Sequence, residues 1–312
     1  MATTSTSDDA VQSPIFSQEL FDLCIDMIGY ARPTSARPDL SSLFACNLVC
    51  RSFSNRTRKH LFHTIHIYDP TRTSKDGTQP ELKVLHDIMT WQGRGIAQYI
   101  QTFRFETMDD FDHGLVASVF GALHGPLHGI TELEVDVHIS LSHMKQGLRQ
   151  AFLDLVRSPR LRVLGIKELV VPRDILLGTH IKHLKLCAHV APNDRLYSAK
   201  DLIENPATLM MPILESFDAS IDIDFAFLKT APVVATGHTI PAQSALAELY
   251  NLYYTVLGDD DLDTHLQPIL SKVKTTVERI ELRYSRTPVP SNISRSSLLI
   301  TFCSYSYGNP WP

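Results

Sequence analysis

The sequence predicts an α/β protein in which three short N-terminal helices precede a solenoid built on a curved parallel sheet. Two observations lead to the solenoid. A short apolar template recurs along most of the 312 residues, and helical apolar patterns occupy the intervals between its copies. A third observation, a set of helical patterns before the first copy, separates the N-terminal segment from the rest.

The template places apolar residues at its first, fourth and sixth positions. It fits seven segments, whose central residues are Ile65, Phe103, Leu133, Leu164, Leu184, Phe217 and Ile280. An eighth copy begins at Leu246 and Leu249 but has Asn251 in its last position. Because the last two apolar positions alternate, each copy predicts a short strand with one buried face. The run from Leu298 to Phe302 predicts a final edge strand.

Helices are predicted between the strands. Their apolar positions are Leu115, Val116, Val119, Phe120 and Leu123; Met144, Leu148, Phe152, Leu155 and Val156; and Leu262, Leu266, Ile269, Leu270 and Val273. Strand, crossover helix and strand form a right-handed parallel unit. A doubly wound sheet would show the same alternation. The solenoid is favoured because one template recurs in order and no glycine-rich phosphate turn follows a strand. The polar run from Asp69 to Glu81 predicts a surface loop.

The N-terminal helices are predicted from three successive apolar patterns. Their apolar positions are Leu20, Leu23, Cys24, Met27 and Ile28; Leu40, Leu43, Phe44, Leu48 and Val49 after Asp39; and Leu61 and Phe62. The third helix is expected to direct Arg56, Arg58 and Lys59 outward and to bring Leu61 and Phe62 to the core. The second helix is apolar on more than one side, and three short helices cannot cover all of it. We therefore expect some apolar area to remain for a partner.

These N-terminal residues resemble the F-box family, in the form found in fungal F-box-like proteins. The matches are Glu19-Leu20, Leu43, Cys46, the run LVCRSF from Leu48 to Phe53, and Leu61-Phe62. Phe16-Ser17 stands where the family has a Leu-Pro pair. The recurring strands resemble an irregular leucine-rich repeat, which fits the usual layout of the family.

The resemblance implies four segments: a disordered N-terminus (1–13), an F-box-like helical domain (14–62), a leucine-rich-repeat-like solenoid (63–302) and an irregular tail (303–312). It implies that the helices bind a Skp-type adaptor, which links the chain to a cullin ubiquitin ligase, and that the solenoid binds an unknown protein substrate. The implied adaptor-binding residues are Phe16, Leu20, Leu23, Leu43, Leu48, Val49, Cys50 and Phe53. Such a subunit has no catalytic residues, cofactor or metal. Because Phe16-Ser17 departs from the pattern, a non-catalytic interaction scaffold that no longer binds the adaptor stays open.

Composition argues against several other classes of protein. The net charge of -5 disfavours general polyanion binding, and the basic run Arg51, Arg56, Arg58 and Lys59 lacks interleaved aromatics. That run predicts a solvated helix face rather than a nucleic-acid site. The start is polar and acidic, without a secretory signal, and no stretch is apolar enough to span a membrane. Five cysteines, odd and sparse, indicate reduced thiols in the cytoplasm or nucleus.

Metal and acid–base sites are also disfavoured. Cys46, Cys50, His60 and His63 have a Cys-x3-Cys-x9-His-x2-His spacing, which departs from a zinc finger, and core packing of the cysteines is the favoured interpretation. Two acidic clusters precede predicted helices, where carboxylates cap free N–H groups. Their members are Asp109, Asp110 and Asp112, and Asp259, Asp260, Asp261 and Asp263. No nucleophile elbow, Walker loop or HExxH motif occurs, so we do not expect an enzyme.

Overall fold

The computed structural model describes residues 17–29, 39–68, 80–91, 95–107, 111–125, 129–172, 174–187, 190–191, 195–197, 210–220, 233–235, 238–240, 245, 249, 251–256 and 279–284. The chain divides into two compact units, residues 1–63 and 64–312. Several predictions fall outside the described residues. They concern Phe16, Asp109, Asp110, the acidic cluster at 259–263, the third crossover helix, the strand at 298–302 and the two terminal segments.

The first unit contains the three short helices that the sequence predicts. They are α1 (Gln18–Gly29), α2 (Leu40–Asn47) and α3 (Arg51–Leu61). Asp39 begins α2 as an N-cap, because its carboxylate accepts hydrogen bonds from the backbone N–H of Ser42 at 3.1 Å and from the Ser42 hydroxyl at 2.7 Å. Cys50 has an extended backbone between α2 and α3, which lets the chain reverse there.

The buried interior of the first unit is small. Ile25 of α1, Leu43 of α2 and Thr57 of α3 are its fully buried described residues, and the Thr57 hydroxyl donates to the Phe53 carbonyl at 2.6 Å. Leu61 and Phe62, which were expected to reach the core, are only half-buried. The prediction was too strong because a unit of three short helices encloses little volume.

The second unit is organised around an eight-stranded parallel sheet. In chain order, the strands of the whole unit are β1 (Thr64–Tyr68), β2 (Thr102–Thr107), β3 (Glu132–Val137), β4 (Val163–Lys167), β5 (Val171–Pro172), β6 (His183–Cys187), β7 (Val190–Ala191), β8 (Ser216–Ser220), β9 (Val233–Ala235), β10 (His238–Ile240), β11 (Asn251–Val256) and β12 (Arg279–Tyr284). The large sheet has the order β1-β2-β3-β4-β6-β8-β11-β12, and two short pairs, β5-β7 and β9-β10, lie apart from it. Its strand order therefore follows the chain without reversal.

The recurring template predicts the register of this sheet. The central residues form one continuous row of paired positions, Ile65, Phe103, Leu133, Leu164, Leu184, Phe217, Leu252 and Ile280. The five predicted central residues on inner strands are fully buried. Ile65 and Ile280 are only half-buried, contrary to expectation, because β1 and β12 are the outermost of the described strands and each pairs with one other described strand.

The eighth copy of the template was placed three residues too early. Leu249 is buried, but it precedes β11, and the residue that pairs with both Phe217 and Ile280 is Leu252. When the template is aligned on Leu246 and Leu249, Asn251 occupies its last apolar position. Asn251 instead opens the strand, on the polar side of the alternation.

The described residues of the second unit include three α-helices. They are α4 (Pro80–Thr90), α5 (His113–His124) and α6 (Gln146–Val156). The ring of Phe120 on α5 lies 6.2 Å from Phe103 and 6.1 Å from Phe105, both on β2, and 6.2 Å from Phe152 on α6. As predicted, Asp112 caps α5: its carboxylate accepts hydrogen bonds from two backbone N–H groups of the first turn, at 2.8 and 3.1 Å.

The helix α4 was not predicted. It begins at Pro80, inside the run that was expected to be a surface loop, because proline fits the first turn of a helix. Leu82, Leu85 and Met89 form its buried side at helical spacing. Between β4 and β6 the described residues hold no helix, in agreement with the short interval between Leu164 and Leu184.

Glu168, directly after β4, has a left-handed backbone with φ of 55°. Side chains branched at Cβ tolerate this conformation poorly, whereas glycine adopts it freely. We expect Glu168→Val to lower the free energy of unfolding by about 1–2 kcal/mol, and Glu168→Gly to change it by less than about 0.5 kcal/mol because relief of strain and loss of chain entropy offset each other. Urea unfolding of the three proteins measures this order. Equal stability of the valine and glycine variants would contradict it.

Candidate docking site

Two stripes of exposed apolar side chains lie on the first unit. Their members are Leu20, Leu23 and Met27 on α1, and Leu40, Phe44, Leu48 and Val49 in and after α2. Leu20, Leu23 and Met27 are three or four residues apart and share one face of α1, and Leu40 and Phe44 share one face of α2 in the same way. Leu48 and Val49 directly follow the end of α2. Leu48 is 84% exposed, Met27 67% and Val49 65%. Large apolar side chains exposed together in this way are typical of protein-docking surfaces.

The expectation that apolar area remains uncovered on the first unit is confirmed. Leu20, Leu23, Leu48, Val49 and Cys50, all named from the family match, are exposed. Leu43 is not accessible: it is 0% exposed, because the inner side of α2 fills the space between the helices. Its assignment to a docking surface was therefore wrong. Phe53 is half-buried, with its ring 5.3 Å from that of Phe21, and Phe16 lies outside the described residues.

Sequence reasoning did not assign Met27, Leu40 or Phe44 to the docking surface. The signal was nevertheless present, because Leu40, Phe44 and Leu48 are spaced by four residues and Met27 continues the stripe of Leu20 and Leu23. What the sequence could not show is which side of each helix faces inward. The structure places Ile25, rather than the stripe, in the interior of the unit.

Asp26 ties α3 to α1, the helix that carries the first stripe. Its carboxylate accepts a hydrogen bond from Arg56 Nε at 2.7 Å and contacts His60 Nε2 at 2.8 Å; Arg56 donates a second bond to the other oxygen. Arg56 was expected to point outward and instead forms this pair. The hydrogen bond from Arg56 is the largest cause that lowers the pKa of Asp26 to about 2, against the opposing effect of burial. A Cβ at Gly29 would overlap the His60 ring, so glycine is required there.

The pKa of Asp26 gives a pH prediction. Because that pKa is lowered from 3.8 to about 2, the ionised carboxylate stabilises the fold at pH above about 4, and this contribution is lost as the pH falls towards about 2. We expect the free energy of unfolding to fall less steeply with acidification in Asp26→Asn than in the wild type. Urea titrations from pH 5 to pH 2 measure the slope. The control, Asp22→Asn, removes a carboxylate of the same helix and should keep the wild-type slope; equal slopes in all three proteins would contradict the assignment.

The described residues contain no group of three or more His, Cys, Asp or Glu side chains that could hold a metal ion. His60, one of the four Cys and His residues whose spacing departs from a zinc finger, is engaged by Asp26. Arg51 and Lys59 of the basic run are exposed.

The face of the large sheet opposite α5 is a polar surface. Successive strands alternate apolar and charged side chains, so Arg104, Glu132, Glu134 and Lys185 share this open face. Arg104 Nε lies 2.9 Å from Glu134, and Lys185 Nζ lies 2.9 Å from the other oxygen of Glu134 and 3.4 Å from Glu132. Burial alone would raise the pKa of Glu134, but the hydrogen bond from Lys185 and the nearby positive charges of Lys185, Arg104 and Lys167 together outweigh it and hold the pKa below its usual value.

Gly165 permits the contact between Glu134 and Lys185. These residues are two strands apart, roughly 10 Å between backbones, with Gly165 between them in the same row. A Cβ at Gly165 would lie 2.6 Å from Glu134 Cγ, so the Glu134 side chain passes over the position that any other residue would fill. The open face is therefore held by a network of ion pairs across four strands.

No protein-family model matches the sequence, and a search of curated proteins finds no match. Among the helices that the structure describes, none combines the length and apolar character needed to cross a membrane.

Proposed function

We propose that the chain is a substrate-receptor subunit of a Skp–cullin–F-box ubiquitin ligase. In this proposal the apolar stripes of the first unit bind the Skp-type adaptor, and the second unit binds a protein substrate. The chain acts without catalytic residues of its own, by raising the concentration of its target near the ubiquitin-charged enzyme. A cytoplasmic or nuclear location follows from this role.

The exposed stripes are the observation that carries the proposal. Burying one exposed leucine or valine of this kind stabilises a complex by about 1.5–3 kcal/mol before the costs of association are counted. The first unit exposes seven such side chains, whereas three of its described residues are fully buried. Its exposed apolar surface is therefore larger than folding of the unit alone explains. Two of the exposed side chains, Leu48 and Val49, belong to the LVCRSF run from Leu48 to Phe53, and Leu20 belongs to the Glu19-Leu20 pair; both segments match the F-box family.

The second unit suits the solenoid part of the proposal. A stack of repeats adds each strand beside the previous one, as in the strand order of the large sheet. A doubly wound sheet would instead reverse direction at a switch point. The helices α4, α5 and α6 also pack against one another in chain order. These features favour a leucine-rich-repeat-like solenoid whose open face is available to a substrate.

Capture of the tagged chain from eukaryotic cells tests the proposal. We expect both a Skp-type adaptor and a cullin to be recovered, with recovery of the cullin lost when the adaptor is depleted, because the adaptor links the two. A chain that folds and recovers neither protein would contradict the ligase role. The non-catalytic interaction scaffold, which lacks adaptor binding, would then take its place.

A further inference from the structure

A cleft of about 90 Å³ opens on the polar face of the sheet, over β2 and β3. We propose that this cleft binds a basic side chain, arginine or lysine, of an extended segment of a partner protein. The identification of that partner as a ligase substrate rests on the proposed function; the chemistry of the cleft does not. Glu106 and Asp136 are the residues that would accept the hydrogen bonds.

Arg104, which lines the cleft, and Lys185, which lies beside it on the same face, are already paired with carboxylates. Arg104 Nε lies 2.9 Å from one oxygen of Glu134, and Arg104 Nη2 lies 3.8 Å from Glu132. Lys185 Nζ lies 2.9 Å from the second oxygen of Glu134. A phosphate or carboxylate entering the cleft would have to displace one of these carboxylates from Arg104. The network therefore disfavours an acidic or phosphorylated segment as the occupant.

The carboxylates at the other end of the cleft are less satisfied. Glu106 lies 3.4 Å from His66 Nε2, and Asp136 lies 3.7 Å from Lys167 Nζ, both too long for strong charge-assisted hydrogen bonds. Lys167 is itself half exposed, so it holds Asp136 only loosely. An ionised carboxylate offers about four lone-pair sites, so both groups keep acceptor capacity towards the cleft.

The register of the sheet places these two carboxylates side by side. Glu106 on β2 pairs directly with Asp136 on β3, in adjacent parallel strands about 4.8 Å apart. Like charges at directly paired positions destabilise a sheet. A guanidinium or ammonium group between them would relieve this repulsion, and a planar guanidinium matches two neighbouring carboxylates especially well.

Binding of peptide pools tests the inference. Each pool carries one fixed central residue, arginine, lysine, glutamine, glutamate or phosphoserine, between random positions, and is measured against the full chain in the presence of a chelator. We expect the arginine and lysine pools to bind at least tenfold more tightly than the glutamate and phosphoserine pools. The combined variant Glu106→Gln with Asp136→Asn should bind the basic pools at least fivefold more weakly than the wild type does.

Two controls separate this result from folding and from the proposed function. Asp154→Asn removes a partly exposed carboxylate on α6, outside the lining of the cleft, and should leave the preference for basic pools unchanged. Circular dichroism should show the combined variant to be as stable as the wild type or more stable, and its capture of the Skp-type adaptor should be unaltered. A preference for acidic or phosphorylated pools, no preference at all, or a basic preference that survives the combined variant would overturn the inference.

Discussion

Replacing Leu164 with alanine should lower the free energy of unfolding by about 2–5 kcal/mol. Leu164 is fully buried at the middle of the large sheet, where it pairs with Leu133 on β3 and Leu184 on β6. The substitution leaves a cavity between the sheet and the helices that neighbouring side chains, held in a parallel ladder, fill only in part. Urea unfolding followed by circular dichroism measures the change.

Ile213→Ala provides the matched control, because Ile213 precedes β8 in the same unit and is half exposed. Truncating an exposed aliphatic side chain should change the stability by less than about 0.5 kcal/mol. A Leu164→Ala variant as stable as Ile213→Ala would contradict the placement of the template residues in one continuous core. The comparison also tests the predicted register, because a shift of one residue would expose Leu164.

Val49→Asp should weaken binding of the Skp-type adaptor at least tenfold, equivalent to about 1.4 kcal/mol. Val49 is 65% exposed, so the fold does not depend on it, but in a complex the new carboxylate would be buried against an apolar partner surface without a counter-charge. Calorimetric titration of purified adaptor into the purified chain measures the dissociation constant. Phe53→Ala is a less specific variant, because it also removes the ring contact with Phe21 inside the first unit.

Val84→Asp is the control for this experiment. It makes the same substitution at another half-exposed valine, on α4 of the second unit, outside the apolar stripes. We expect it to bind the adaptor as tightly as the wild type. If Val49→Asp and Val84→Asp both bind normally, the stripe along α2 is not the docking surface. If both lose binding, the effect belongs to an added charge rather than to this site.

The parallel sheet was predictable because its signal is local and repeated. Each template copy alternates buried and exposed positions, and the interval to the next copy is long enough for a crossover connection. The row of central residues from Phe103 to Phe217 lies in the predicted register. The copy at Leu249 was misplaced because two alignments, three residues apart, both put leucines at apolar positions. Only the pairing of Leu252 with its neighbours on both sides distinguishes them.

The exposed apolar surface of the first unit was predictable in kind but not in full detail. The amount of apolar surface on α2 exceeds what three helices can bury, which follows from composition alone. Which side of the helix is buried depends on tertiary packing, so Leu43 was assigned to the surface although it lies in the core. The pairing of Asp26 with Arg56 joins residues 30 positions apart, and no spacing rule in the sequence connects them.

The open face shows the same limit. Glu134 and Lys185 meet only because Gly165 lies between them, a contact between strands that are not neighbours. The sequence alternation predicts that charged residues occupy this face, but not how they pair. The unequal distances, 2.9 Å for Arg104 to Glu134 against 3.4 Å for Glu106 to His66 and 3.7 Å for Asp136 to Lys167, are the reason for proposing Glu106 and Asp136 as the ligand-binding groups.

Mixing the purified chain with a purified Skp-type adaptor tests the central claim most directly. Size-exclusion chromatography with light scattering reports the mass of the complex without reference to any substrate or cell. The proposed function predicts a stable 1:1 complex, lost in Val49→Asp and kept in Val84→Asp. Separate elution of the folded wild-type chain and the adaptor at micromolar concentration would contradict it.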